Sequence, residues 1–303
     1  MTSLLLLDGG TGRELLRLGA PFRQPEWSAL ALIEAPHFVA RVHESYVSAG
    51  ADVITTNSYA LVPFHLGEAR FATEAPALAA LAGRLAREVA DAAARPVRVA
   101  GSLPPACGSY RPDLFDAAVA RPVLEVLVRG LRDHVDHWQA ETLSAIEEAE
   151  LVRAVVDADG GVPAKPLWLS FTLRDEGVVA GRPQLRSGEP VADAARAAVR
   201  LGAQALLFNC SQPEVMGDAV AAAQAVLRET GARIPLGVYA NAFAPQPAEA
   251  TANDGLDEIR ADLTPAGYLQ WVRRWRDGGA AIVGGCCGIG PEHIGAMRAA
   301  WPA

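Results

Sequence analysis

Lysine is nearly absent from this chain: Lys165 is the only one in 303 residues. It precedes the fifth of the apolar runs described below, at the wrong end for chemistry, and that counts against a Schiff-base mechanism. No block of basic residues appears and the formal net charge is −8, so nucleic acid is not an expected partner. No apolar run approaches the roughly 18 residues that span a bilayer. The start, Met1-Thr2-Ser3-Leu4-Leu5-Leu6-Leu7-Asp8, lacks the basic opening and small-residue cleavage site of a signal peptide. No membrane is therefore expected, and the cytoplasm is the expected location. Without an export signal, the four cysteines point away from a disulfide framework and toward reduced thiols, structural, catalytic or metal-binding.

What is present is ample apolar material, half of all residues, enough for a large core. Eight short runs rich in Val, Ile and Leu occupy 4–8, 52–57, 97–102, 138–141, 167–172, 205–210, 236–241 and 280–286. Each is followed by a polar or glycine-rich turn and then an amphipathic stretch. Near-continuous apolar strands alternating with helices belong to a parallel sheet covered on both faces. Eight units without a break in rhythm predict one (β/α)8 barrel over residues 1–303, a single domain with its active site at the C-terminal rim of the strands.

Helix starts are signalled at Thr11-Gly12-Arg13-Glu14, Ser144-Ala145-Ile146-Glu147 and Ser211-Gln212-Pro213-Glu214, which fit a capping box. Thr264-Pro265 and Gly290-Pro291 place proline at a first helical position. After Pro122, residues Leu124, Leu127, Val128, Leu131 and Val135 share one helical face. Two segments, 59–73 and 241–264, read as long loops and are expected at the barrel mouth.

The strand ends carry the chemistry. They present Asp8, Asn57, Glu141, Thr172, Asn209, Cys210, Asn241 and the turn Gly284-Gly285-Cys286-Cys287-Gly288. Polar groups closing apolar strands are costly to bury alone, so their recurrence at one end suggests a shared site. Cys210 closes the sixth strand and Cys286-Cys287 the eighth, on the same rim. Adjacent cysteines in a strand face opposite ways, but flanking glycines let the backbone turn so that both sulfurs face one centre. Three thiolates and one open position suit catalytic zinc. Two other readings stay open on spacing alone: buried cysteines as small hydrophobes, and a glycine-rich phosphate cradle. Cys107 has no partner spacing. His43, His65, His134 and His137 read as ordinary polar residues, Trp271 and Trp275 as packing, and His293 as a neighbour of the cysteine pair.

The chain resembles the homocysteine S-methyltransferase family nearly end to end. The resemblance rests on Asp8-Gly9-Gly10-Thr11-Gly12, the stretch from Gly50-Ala51-Asp52 to Asn57-Ser58-Tyr59, Glu141-Thr142, Asn209-Cys210 and Gly284-Gly285-Cys286-Cys287-Gly288. It implies zinc on Cys210, Cys286 and Cys287, with homocysteine as acceptor and methionine as product. It also implies that Asp8 and Glu141 lie near the amino acid end of the substrate; Asn57, Asn209 and Thr172 complete the expected substrate contacts. A thiol has an ordinary pKa near 8.5, and the coordinated sulfur would be a thiolate, the nucleophilic form.

One departure bears on the donor. The family often shows Tyr-Pro-Asn after the seventh strand, where this chain has Tyr239-Ala240-Asn241-Ala242-Phe243 and then a Pro/Ala/Asp-rich segment. No separate fingerprint for S-adenosylmethionine is visible. The expected donor is S-methylmethionine or S-adenosylmethionine bound in the barrel mouth. Betaine is the alternative, disfavoured because few Tyr and Trp stand at strand ends to cage a quaternary ammonium. A phosphate-binding barrel lyase or isomerase is the competing enzyme class, and a non-catalytic zinc module the third.

Overall fold

The computed structural model describes residues 4–161, 164–244 and 258–302. Eight strands follow one another: β1 (Leu5–Leu6), β2 (Val53–Thr55), β3 (Arg98–Leu103), β4 (His137–Leu143), β5 (Leu167–Phe171), β6 (Ala205–Asn209), β7 (Leu236–Tyr239) and β8 (Ile282–Val283). Each falls inside or within a residue or two of an apolar run, because only such runs can be buried on both faces. All pair in parallel, in the order β1-β8-β7-β6-β5-β4-β3-β2. A single bridge, Leu7 to Val53, joins the two ends of that order and closes the (β/α)8 barrel.

Helices clothe the barrel: α1 (Thr11–Arg17), α2 (Ser28–Glu34), α3 (Pro36–Ala49), α4 (Pro63–Leu66), α5 (Glu68–Ala92), α6 (Ala117–Leu131), α7 (Ile146–Ala158), α8 (Val191–Arg200), α9 (Pro213–Thr230), α10 (Pro265–Asp277) and α11 (Pro291–Ala300). Their apolar faces and the outward strand residues form the main core, into which Trp275, Tyr46 and Tyr268 are fully buried. A second, smaller cluster is drawn from strand to strand: Leu7, Val53, Ala100, Trp168, Ala205, Leu207, Tyr239 and Ile282. No described helix is long and apolar enough to cross a membrane.

Side chains help to hold the seam between β1 and β2. Asp52 accepts the Leu6 amide through Oδ2 at 2.9 Å and donates its own amide to the Leu6 carbonyl at 2.7 Å. Its other oxygen takes Arg298 of α11 at 2.6 Å, and Arg298 also donates to the Gly50 carbonyl. A carboxylate thus supplies the hydrogen bond that the short strand ladder does not.

Several local expectations need correction. None of Thr11, Ser144 and Ser211 caps its helix; each cap lies one residue away and makes no side-chain cap hydrogen bond. The helices are capped at Gly10, Ala145 and Gln212, and Glu148, not Glu147, accepts the Ser144 and Ala145 amides. Ser211 has another use, accepting the Leu173 amide at 2.8 Å. Thr264 caps α10 as expected, accepting from the Gly267 amide, and Pro291 opens α11. Helix α6 begins ahead of Pro122, capped by Asp116, and buries Leu124, Leu127, Val128 and Leu131. Segment 59–73 is not one loop: it holds α4 and the start of α5, because Pro63 sits in a first helical turn and Gly67 at a cap. Residues 245–257 of the second expected loop lie outside the described residues; its base is pinned by a bridge between Phe243 and Ile259.

Candidate active site

A single cavity at the C-terminal rim gathers residues from most strand ends. It is lined by Asp8, Asn57, Glu141, Cys210, Cys286 and Cys287 among the residues singled out in the sequence. Cys210 follows β6 directly. Cys286 and Cys287 stand on the turn beyond β8, which is tied down by its backbone: Gly285 donates to the Asp8 carbonyl, Cys286 to Ala240, and Ala242 to Cys287. Gly288 has φ +83°, the left-handed region, and a Cβ there would stand 2.8 Å from the Ala242 methyl. Glycine at that point lets the pair turn inward.

The three sulfurs lie within 4.8 Å of one another. Cys210 and Cys286 are joined as a disulfide, with Cα atoms 5.6 Å apart. Two cysteines brought this close sit within the span that a disulfide bridges, so the pair can stand oxidised or as two thiols. Reduction returns three thiols at one spot. Zinc takes thiolates at about 2.3 Å, which puts the sulfurs of a tetrahedral set about 3.8 Å apart. The reduced trio, which lines the cavity, is therefore a donor set that fits a soft divalent ion.

Two carboxylates share that cavity. Asp8 accepts the Thr55 amide at 2.7 Å and its hydroxyl at 3.0 Å. Burial pushes its pKa up to about 7, against the pull of the Thr55 hydrogen bonds; the nearby Glu141 adds repulsion. Glu141 accepts from Ser102 Oγ at 2.5 Å, Tyr239 Oη at 3.2 Å and Gln139 Nε2 at 3.4 Å. Burial raises its pKa as well, and those three donors oppose the rise. Two buried carboxylates repelling one another are relieved by a cation placed between them, such as an ammonium group.

Asn57 lines the cavity and donates to the Ser28 carbonyl at 3.0 Å. Asn209 and Thr172 do not line it. Asn209 Oδ1 accepts the Thr142 amide at 3.0 Å and Ser170 Oγ at 2.7 Å, while its Nδ2 donates to Thr142 Oγ1 at 2.9 Å. Thr172 Oγ1 donates to the Cys210 carbonyl at 3.4 Å and shares a hydrogen bond with Ser211. Each thus holds the backbone of a cavity residue in place. Thr142 and Cys210 have φ of +60° and +52°; with Trp27 and Tyr110 they are the only non-glycine residues with positive φ among those described. All four line the cavity. Such backbone costs about 1–3 kcal/mol per residue and collects at functional sites.

The sequence reading missed several lining groups. Trp27, Tyr59, Tyr110, Tyr239 and Phe243 give the cavity an aromatic wall. Most of these rings come from loops, so the scarcity of aromatics at strand ends did not bear on the question. His65 lies in α4, lines the cavity and bonds the Pro25 carbonyl at 2.9 Å. Tyr268 is legible only in space: its hydroxyl donates to the Gly284 carbonyl at 2.8 Å and accepts the Ala240 amide, tying β7 to the cysteine turn. His293 accepts the Gly290 amide and donates to the Leu263 carbonyl, bracing the exit of the same turn. His137 lies at the far end of β4, tilted against Trp168 with ring centroids 4.0 Å apart. Trp275 packs in the core. Cys107 points its sulfur at the Asp116 carbonyl, outside the cavity.

The phosphate-cradle reading fares poorly. The amides of Gly284, Gly285, Cys286, Ile289 and Gly290 all donate to protein acceptors, so the turn has few left for an anion.

Comparison with known proteins agrees with this geometry. The family model for homocysteine S-methyltransferase matches residues 5–301. The homocysteine S-methyltransferase of Escherichia coli is 33% identical, over 98% of this chain and 94% of that protein. A selenocysteine methyltransferase of Astragalus bisulcatus is 27% identical, over 95% of this chain and 90% of that protein. Among solved structures, the metallated form of the Escherichia coli homocysteine methyltransferase MmuM superposes with a TM-score of 0.75 at 29% identity, covering 98% of this chain and 96% of that one. With a match that spans nearly the whole barrel and a relative above 30% identity, the chain is an enzyme of the homocysteine S-methyltransferase family.

Proposed function

We propose that this enzyme transfers a methyl group from a sulfonium donor, S-methylmethionine or S-adenosylmethionine, to the sulfur of homocysteine, giving methionine. The observation that carries the reading is the convergence of Cys210, Cys286 and Cys287 on a cavity that also holds two buried carboxylates. In their reduced form the three cysteines would hold zinc. When bound, zinc would keep the acceptor sulfur as a thiolate at neutral pH. Asp8 and Glu141 take the ammonium of the acceptor, Asn57 borders it, and Asn209 and Thr172 fix the strained backbone around it. The sulfur lone pair attacks the donor methyl carbon as the donor's carbon–sulfur bond breaks. The bonding pair leaves with a neutral thioether, and the thiol proton has passed to solvent. The aromatic wall holds the positive donor by its ring faces and excludes water.

The same rings favour a second donor. A quaternary ammonium such as betaine presents the same charge to the same wall, which supplies the rings that the strand ends lack. The selenol of a selenoamino acid is the matching variation on the acceptor side. Working thiols need a reducing compartment, which agrees with a cytoplasmic enzyme, and one domain over residues 1–303 carries the whole reaction.

The test is a donor screen on reduced, zinc-loaded enzyme with homocysteine, reading methionine and metal content together. Expected are methionine from a sulfonium donor and about one zinc per chain, both lost in Cys210→Ser. Full activity without metal, or no transfer from any onium donor, overturns the reading.

A further inference from the structure

The short stretch from residue 258 to the start of α10 braces the cysteine turn at several points. Ile259 bridges Phe243, and a Cβ at Gly288 would stand 3.5 Å from the Ile259 side chain. The Arg260 amide donates to the Ala242 carbonyl at 2.8 Å, and the Ala242 amide donates to the Cys287 carbonyl at 2.8 Å. The Leu263 carbonyl meets the His293 ring at 2.9 Å, where the turn runs out into α11. This brace is fastened to a different helix by the Arg260 side chain. The guanidinium donates to both oxygens of Glu214, at 2.7 and 3.0 Å, and to both oxygens of Asp262, at 2.7 and 3.1 Å. Glu214 stands in the first turn of α9, the helix that opens just after Cys210. One guanidinium therefore joins the brace of the Cys286-Cys287 turn to the helix that follows Cys210. A lone exposed ion pair holds little, but the Arg260 side chain is only 21% exposed, and a fork gripping two carboxylates fixes orientation as well as distance.

We propose that Arg260 is a positioning residue for the metal site, setting the Cys210 side of the sulfur trio against the Cys286-Cys287 side. The inference rests on the zinc reading and adds to it the strut that keeps the ligand set in register. The three sulfurs come from two places in the chain, and any freedom between those places is surrendered when an ion binds. A clamp that removes the freedom beforehand raises affinity without touching the ion. Groups that only orient a metal's ligands typically change its affinity by about 10- to 100-fold when they are lost. Arg260 does not line the cavity, so its removal takes away no substrate contact.

The experiment measures zinc affinity on the reduced full chain by competition with a chromophoric chelator. The proteins compared are the wild type, Arg260→Met, Arg260→Lys, Glu214→Ala, the Arg260→Met/Glu214→Ala double variant and Arg200→Met. The last breaks the pair between Arg200 of α8 and Glu150 of α7, 2.8 Å apart on the helix ring, and is the control. The zinc Kd is expected to rise about tenfold or more in Arg260→Met and Glu214→Ala. The double variant should be no weaker than the worse single one, because both break the same link. Arg260→Lys should recover part of the loss, since an ammonium keeps the charge but not the fork. Arg200→Met should bind zinc as the wild type does, and urea midpoints of the metal-free proteins should fall no further in Arg260→Met than in that control. Should Arg260→Met fail to fold, Glu214→Ala, which removes a more exposed partner, carries the comparison. Wild-type zinc affinity in both Arg260→Met and Glu214→Ala, or a loss that Arg200→Met shares, overturns the inference and leaves the three-sulfur site standing. A reduced wild type that binds no zinc sinks the zinc reading as well.

Discussion

The phenol of Tyr239, at the end of β7, donates to Oε2 of Glu141 on β4 at 3.2 Å, a bond between strands that are not neighbours in the sheet. It is one of three donors that offset the cost of burying that carboxylate. Tyr239→Phe removes one of them, so the Glu141 pKa rises further. If the ionised form binds the acceptor, activity is lost as pH falls through that pKa, and in the variant the loss sets in at higher pH. Homocysteine KM should rise about three- to tenfold at neutral pH. A pH profile of kcat/KM that superposes on the wild type refutes the role.

The side chain of Asn209 hydrogen-bonds Thr142 and Ser170. Asn209→Ala leaves the left-handed Thr142 amide without its acceptor, and about 2–4 kcal/mol of stability should go with it. Urea denaturation measures this. A variant as stable as the wild type, with only its homocysteine KM raised, would make Asn209 a substrate contact instead.

Oxidation state should govern metal uptake. The form with Cys210 bonded to Cys286 leaves Cys107 and Cys287 outside that bond. Unfolded without reductant, this form should titrate about two thiols per chain and, while folded, retain little zinc; after reduction, zinc uptake and methyl transfer should return together. Zinc binding undiminished in the oxidised form contradicts the three-sulfur site.

His43 is fully buried in α3, and neither ring nitrogen has a hydrogen-bond partner among the described residues. Burial lowers its pKa from the ordinary 6.5 to about 4. The unfolded chain therefore binds a proton before the folded one does. The contribution of neutral His43 is whole above pH 6.5 and drains away as pH falls toward 4, by about 3 kcal/mol. His43→Leu should stabilise the protein at pH 7 by about 1–3 kcal/mol and flatten the acid side of its stability curve. Parallel curves for the two proteins would show that His43 is solvated or paired in solution.

Apolar runs made the barrel legible, because a parallel sheet buried on both faces leaves no polar alternation in its strands. Cys210 and the Cys286-Cys287 pair were legible for a related reason: soft ligands stood where such strands end and glycines allowed a turn. The helix caps were one residue off: the pattern from Ser144 pointed to Glu147, but the helix starts one residue later and turns Glu148 to the Ser144 and Ala145 amides. The role of Asn209 was hidden because a strand-end amide looks the same whether it meets a substrate or a neighbouring backbone. The ring wall was hidden more deeply. Trp27, Tyr59, Tyr110 and Phe243 come from four separate stretches of chain, and only the closed barrel assembles them. Nothing in local spacing records the left-handed backbone of Thr142 or Cys210.

The latch at Asp52 has a consequence for how the molecule is made. A ribosome releases β1 first, yet β1 pairs along its length only with β8, and the carboxylate beside it is gripped by Arg298 near the far terminus. The opening strand must wait, one edge bare, until the closing helix emerges. Nascent chains stalled before Arg298 should accordingly leave β1 open to proteases.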